Sequence, residues 1–222
     1  MPKMNAAVRL LTAAMLALPM CAQARDYRFD LVHTQVLASA SHMGYSHPLG
    51  RLHVKSGWFR FDADDWSQAK VDVLIDAASI DMGDAKWNEA LRGGDFLASE
   101  HWPTAHYVST RAEKIGENRG LVHGSLSLRG VTRPLDLEVV FNRAGADPYT
   151  FKWTAGFSAS AQLRRSDFGM RKYLPDIGDV VTIRIEAEGL RDGEAQDKAE
   201  RANDTNDPGQ KDSTHGSPNR EH

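Results

Sequence analysis

The feature that most constrains this chain is a hydrophobic period of two running through its middle region. Val71, Val73 and Ile75 alternate with Lys70, Asp72 and Asp76, although Leu74 breaks the polar side. Val122, Gly124, Leu126 and Leu128 alternate with His123, Ser125 and Ser127, and Leu135, Leu137, Val139 and Phe141 with Asp136 and Glu138. Phe151, Trp153, Ala155, Phe157, Ala159 and Ala161 alternate with Lys152, Thr154, Ser158 and Ser160. Val181, Ile183, Ile185 and Ala187 alternate with Thr182, Arg184 and Glu186. Successive side chains of a strand point to opposite faces, so each run predicts a strand with one apolar and one wet face.

Strands are expected to begin near Tyr27, Val36, Gly50, Lys70, Thr104, Arg119, Val131, Phe151 and Asp179. This makes about eight if the first two are one bent strand. Polar turns such as Gly116 to Gly120 make most connections hairpins. Long antiparallel strands of this kind close into a barrel or stack as a sandwich. Asp84 to Pro103 breaks the alternation with helix formers around Trp87 to Leu91. Asp84 is placed to cap a helix there and Gly93 to end it, and Pro103 stops any helix before the strand at Thr104. One or two short helices are therefore expected between strands, where they could plug or gate one end of a barrel.

Both ends of the 222-residue chain lack the alternation. Lys3 and Arg9 precede an apolar run, Leu10 to Met20, that is too short to span a bilayer, and Ala22-Gln23-Ala24 follows as a small-x-small site. Residues 1–24 are thus expected to be a cleaved signal peptide, giving a periplasmic protein with no transmembrane segment in its mature form. The single cysteine, Cys21, lies in that segment, so the mature chain carries no disulfide and no thiolate metal site. Residues 191–222 have no aromatic and no β-branched apolar residue and are expected to be a disordered polar tail. Residues 25–190 then form the folded domain. A formal net charge of -3 gives no reason to expect a nucleic-acid partner.

Catalytic motifs fail one by one. Asp167-Phe168-Gly169 stands without the glycine-rich loop, strand lysine and His-Arg-Asp loop that a kinase needs. His42 and His47, and likewise His101 and His106, are five residues apart, an odd spacing that puts strand ligands on opposite faces. Ser, His and Asp occur without a Gly-x-Ser-x-Gly elbow. The expectation is no enzyme, no catalytic residues, no metal and no cofactor.

An ordered series of local patterns then points to a family. Asp30 to His42 resembles an opening strand pair with a histidine at its end. Gly50 to Leu52, Gly57 to Asp62, Val73 to Asp84, Leu91 to Leu97, His101 to Thr110 and Val122 to Val139 follow in order, and "RSDFGM" (Arg165 to Met170) closes the series. Together they resemble the YceI-like family of polyisoprenoid-binding, lipocalin-like periplasmic proteins, over Tyr27 to Leu190. The resemblance implies an all-β fold, an eight-stranded antiparallel lipocalin-like barrel. It also implies one bound amphiphile with a polyisoprenoid, quinone-like or fatty chain. A homodimer is compatible with it. An enzyme acting on an isoprenoid or quinone, or a histidine-dependent metal protein, is the alternative on the same barrel. Ala38 and Ala40 stand where larger apolar residues are usual and Leu52 replaces an aromatic, so the cavity is expected to be wider or differently shaped.

Alternation selects the inward, ligand-facing side chains. The first three strands supply Val36, Ala38, Ala40, Phe59 and Phe61, and the next strands Val73, Ile75, Tyr107 and Leu126. The last three supply Leu137, Val139, Trp153, Phe157, Ile183 and Ile185. His42 is expected as a polar anchor near the mouth. Small inward residues, Ala38, Ala40, Gly124, Ala155, Ala159 and Ala161, either leave a hollow or sit opposite large side chains such as Trp153 and Phe157. "RSDFGM" is expected to be a turn in which Gly169 takes a conformation other residues resist. Phe168 and Met170 would form an apolar lip, and Arg165 would pair with Asp167 or meet a ligand's head group.

Overall fold

In the computed structural model, which describes residues 24–204, the alternating segments form nine antiparallel strands in one sheet. These are β1 (Arg25–Phe29), β2 (Gln35–His42), β3 (Leu49–Phe61), β4 (Lys70–Asp81), β5 (Thr104–Lys114), β6 (Arg119–Leu128), β7 (Val131–Ala146), β8 (Trp153–Arg164) and β9 (Ile177–Arg191). The sheet closes on itself: β3 pairs with β4 on one side and with β2 on the other, and β2 pairs with β9. β1 also lies between β3 and β9, with Tyr27 opposite both Phe59 and Arg191. β1 and β2 therefore occupy one strand position end to end, so nine strands make an eight-position barrel. Thr34 stitches the break, its buried hydroxyl donating to the Glu188 carbonyl and accepting from the Glu188 amide.

Closure removes the open edges that a sandwich would leave and turns every apolar stripe toward one interior. The parity of β3 changes along its length. A register shift between Val54 and Ser56 lets Leu52 and Val54 face inward before it and Phe59 and Phe61 after it, while Trp58 faces out. β8 begins at Trp153, two residues after Phe151, which takes a left-handed backbone (φ 57°) in the turn before it.

Helix α1 (Ala85–Arg92) sits between β4 and β5. The Asp84 carboxylate caps it by accepting from the amides of Lys86 and Trp87, and Gly93 terminates it, as its sequence predicts. The second helix, α2 (Ala195–Asp204), follows β9 instead of lying between strands. It corrects the expected tail: order continues past Arg191 because Ala195 and Ala199, one helical turn apart, bury themselves against the outward-facing Trp58. Asp192 fixes the helix start, accepting from the Glu194 amide and from the Lys198 ammonium at 3.0 Å. Residues 1–23 of the expected signal peptide and residues 205–222 of the expected tail lie outside the described residues. Among the described residues no helix is long and apolar enough to cross a membrane.

Candidate binding cavity

The barrel interior holds a cavity of about 480 Å3 whose surface is almost wholly hydrocarbon. Its walls are the inward stripes: Val36, Ala38 and Ala40 of β2, Val73 and Ile75 of β4, Leu126 of β6, Leu137 and Val139 of β7, and Ile183 and Ile185 of β9. Ala38, Ala40 and Ala159 open onto the hollow, as does Leu52. Gly124, Ala155 and Ala161 do not line it. The Tyr107 ring fills the space above Gly124, where a Cβ would collide with it, and Ala155 is fully buried in the core. Both expectations for small residues are thus realised, in different parts of one barrel.

One end is sealed by aromatic rings. Phe59 stacks on Tyr27 at 4.9 Å and meets Phe29 and Phe157, while Phe61 packs edge-on against Trp66 (5.0 Å) and Phe157 (4.8 Å). Gly189 makes this possible, since a Cβ there would strike the Phe59 ring. Tyr107 is buried with its hydroxyl 3.1 Å from the Val122 carbonyl and 3.2 Å from the Leu135 carbonyl. Burial pushes its pKa up, which keeps the phenol protonated as a donor.

The other end is built by α1, the segment that follows it and two loops. Trp87, Ala90 and Leu91 of α1 face the cavity, as do Ser41, His42, Pro48, Phe96, Met170 and Tyr173. Trp87 (41% exposed) and Tyr173 (55% exposed) touch both the cavity and solvent, so they mark the mouth. The His42 ring meets Trp87 edge-on at 5.7 Å, and the Met43 amide donates to the Asp176 carbonyl, joining loop 43–48 to loop 169–176.

The loop after β8 is a 3-10 turn, Arg165–Phe168, ended by Gly169 in the left-handed region (φ 80°), the conformation expected of that glycine. Arg165 does not pair with Asp167. Its guanidinium, 3% exposed, donates to four carbonyls, those of Met170, Lys172, Ile177 and Gly178, at 2.7–3.0 Å. Burial lowers its pKa, with Asp179 opposing the shift, and the carbonyls take the place of water around the charge. Arg165 therefore clamps the mouth loop while facing the cavity. Asp179 instead accepts from the Ser166 amide and hydroxyl, both at 2.9 Å.

All the side chains expected to face a ligand line the cavity except two. Trp153 has inward parity, but it lies beyond the aromatic seal and is 46% exposed. Phe168 is no lip: it is buried in the core beneath the turn, and Met170 alone of that pair reaches the cavity. Sequence reasoning missed the α1 contribution of Trp87, Ala90 and Leu91, although the apolar i, i+3, i+4 spacing of those residues was visible. Among the described residues no carboxylate lines the cavity and His42 is its one imidazole. The remaining histidines named in the sequence lie elsewhere; His106, for example, binds Asp72 at 2.8 Å. No group of three or more His, Cys, Asp or Glu could hold a metal among the described residues.

Comparison with known proteins gives a consistent picture. A family model described as YceI-like domain matches residues 27–189. A UPF0312 protein of Vibrio vulnificus is 33% identical over 183 residues, covering 81% of this chain and 94% of its own length. A UPF0312 protein of Shewanella denitrificans is 35% identical over 183 residues, with 82% and 95% coverage. Among solved structures, BcnA of Burkholderia cenocepacia superposes with a TM-score of 0.63 at 25% identity, covering 72% of this chain and 98% of its own. A polyisoprenoid binding domain from Saccharophagus degradans superposes with a TM-score of 0.54 at 13% identity, covering 75% and 98%, a likeness of fold alone.

Proposed function

Since this chain belongs to the family of YceI-like domain proteins, we propose that it is a binding and carrier protein for a long-chain isoprenoid or similar amphiphile. The tail would lie in the barrel. One observation carries the reading: a cavity of about 480 Å3, lined by hydrocarbon, sealed by aromatic rings at one end and open between Trp87 and Tyr173 at the other. Such a well suits a molecule with one oily end and one polar end.

Magnitudes favour a long tail. Each methylene moved out of water contributes about 0.8 kcal/mol, so about a dozen contribute roughly 10 kcal/mol. Association costs about 4–15 kcal/mol, so long chains are retained and short ones exchange. Of the polar residues in the lining, Thr34, Arg60 and Tyr107 are already bonded to Glu188, Asp26 and backbone carbonyls away from the mouth, whereas Ser39, Ser41, His42 and Arg165 lie toward it, where they would meet the head group. The lining offers no carboxylate to act with His42 as an acid–base pair among the described residues, which favours binding over catalysis. Export to the periplasm belongs to the same proposal and rests on the charged, apolar and small-residue pattern of residues 1–24.

The experiment is native mass spectrometry of the purified mature protein, followed by organic extraction and titration with a long-chain isoprenol. A stoichiometric lipid, or uptake of one isoprenol per chain, is expected. A protein that is consistently empty and takes up neither isoprenoid nor fatty chain would overturn the reading. A stoichiometric metal in elemental analysis would favour the histidine-dependent alternative.

A further inference from the structure

The mouth is ringed by apolar side chains that face solvent. Met43 and Tyr45 stand at the tip of loop 43–48, Leu49 at the start of β3, Trp87 on α1, and Tyr173 and Leu174 in loop 169–176. Tyr45 is 87% exposed. These tips are not loose ends that failed to fold back. Met43 and Tyr173 both hold left-handed backbones, φ 52° and 58°, which non-glycine residues rarely adopt. Backbone hydrogen bonds fix them: Met43 N to Asp176 O, Tyr45 N to His42 O, and Ile177 N to Tyr173 O.

We propose that this rim is a membrane-docking surface, seating the barrel mouth-down on a lipid bilayer so that cargo passes directly between the bilayer and the cavity. This rests on the reading of the cavity as a lipid site. The occupant follows from where the rim lies. It encircles the opening, so whatever covers it faces the cavity's contents; a protein seated there would stopper the well, whereas hydrocarbon continues its apolar path. Tyrosine and tryptophan suit the boundary between head groups and acyl chains, with an apolar body and a polar tip. The mode of binding follows from charge. Lys86, Arg92, Arg171 and Lys172 share α1, the residues that flank it and loop 169–176 with Asp84, Glu89, Asp95 and Asp176, and Lys172 sits 3.6 Å from Asp95. These charges nearly cancel, so apolar insertion drives docking, and salt or anionic lipid changes it little.

The test is flotation of the purified mature protein with phosphatidylcholine vesicles, with and without added phosphatidylglycerol, at low and high salt. The rim variant carries Met43→Ser, Tyr45→Ser and Leu49→Ser, none of which lines the cavity. The control variant carries Tyr149→Ser and Phe151→Ser, apolar residues at the opposite end of the barrel that are at least as exposed on average. Wild type and control are expected to float alike in all conditions, and the rim variant to partition at least about tenfold more weakly. Isoprenol uptake from detergent should be equal for all three. A rim variant that floats like wild type would overturn the proposal, as would a wild type that never floats. So would a wild-type dimer in sedimentation that the rim substitutions dissolve, since the rim would then cover a second copy. Failure of isoprenol uptake by wild type in detergent would instead strike the function, and flotation is read independently of it.

Discussion

The two ends of the barrel solve opposite problems with the same kind of residue. At the sealed end Phe59, Phe61, Phe157, Trp66 and Tyr27 point at one another, with ring centroids about 5 Å apart, and little space remains. At the mouth Trp87 and Tyr173 lie on loops and a helix, and each has one face toward the cavity and one toward water. Strands position the first set, whose partners are fixed by register; a short capped helix and hydrogen-bonded turns position the second. Aromatic content alone therefore does not say whether a region is core or entrance. What differs is whether the opposing surface is protein.

Substitutions at the two ends should separate stability from uptake. The largest effect is expected from Phe61→Ala, which removes a ring touching Trp66, Phe141 and Phe157. Urea unfolding should show a loss of about 3–5 kcal/mol; a loss below about 1 kcal/mol would mean the seal does not stabilise the barrel. Gly189→Ala forces a Cβ against Phe59 and should cost about 1–3 kcal/mol in the same assay. Midway along the barrel, Ala38→Phe should fill the hollow with a stability change within about 1 kcal/mol, because it adds atoms where none pack. Isoprenol uptake should fall by about tenfold or more, the cost of losing roughly two buried methylenes. Unchanged uptake would place the tail elsewhere.

The smallest effect concerns α2, which braces the outside of the sealed half through Trp58. The Lys198 ammonium and the Glu194 amide hold the Asp192 carboxyl below its ordinary pKa of 3.8. A lowered carboxylate pKa stabilises the docked helix fully above that ordinary value and stops doing so as pH falls through the lower folded one. Below pH 3.8 a red shift in tryptophan emission is expected while the β-sheet circular dichroism holds, and Trp58→Phe should abolish the shift. A shift that persists in that variant would place its origin elsewhere.

Much of the barrel was legible because strand periodicity is local. Val122 to Leu128 and Val181 to Ala187 turn the same residues inward as their alternation predicts. The break at Thr34 was legible too, as two starts in one strand position. Trp153 misled because parity says which face a residue takes and nothing about how far along the barrel axis the cavity extends. Phe168 misled because a 3-10 turn abandons strand parity altogether. The order of α2 was hidden in a polar segment whose only apolar residues are alanines, and their partner, Trp58, is more than a hundred residues away.

By itself the sequence determined strands, their faces, the cap of α1 and the glycine that ends the Arg165 turn, because each depends on neighbours within a few residues. Only the tertiary structure decided that Arg165 clamps four carbonyls, that Ala38 faces space while Gly124 faces a tyrosine ring, and that one end is sealed. Whether a small residue leaves a hollow is fixed by the side chain across the barrel, and closure alone brings the two together.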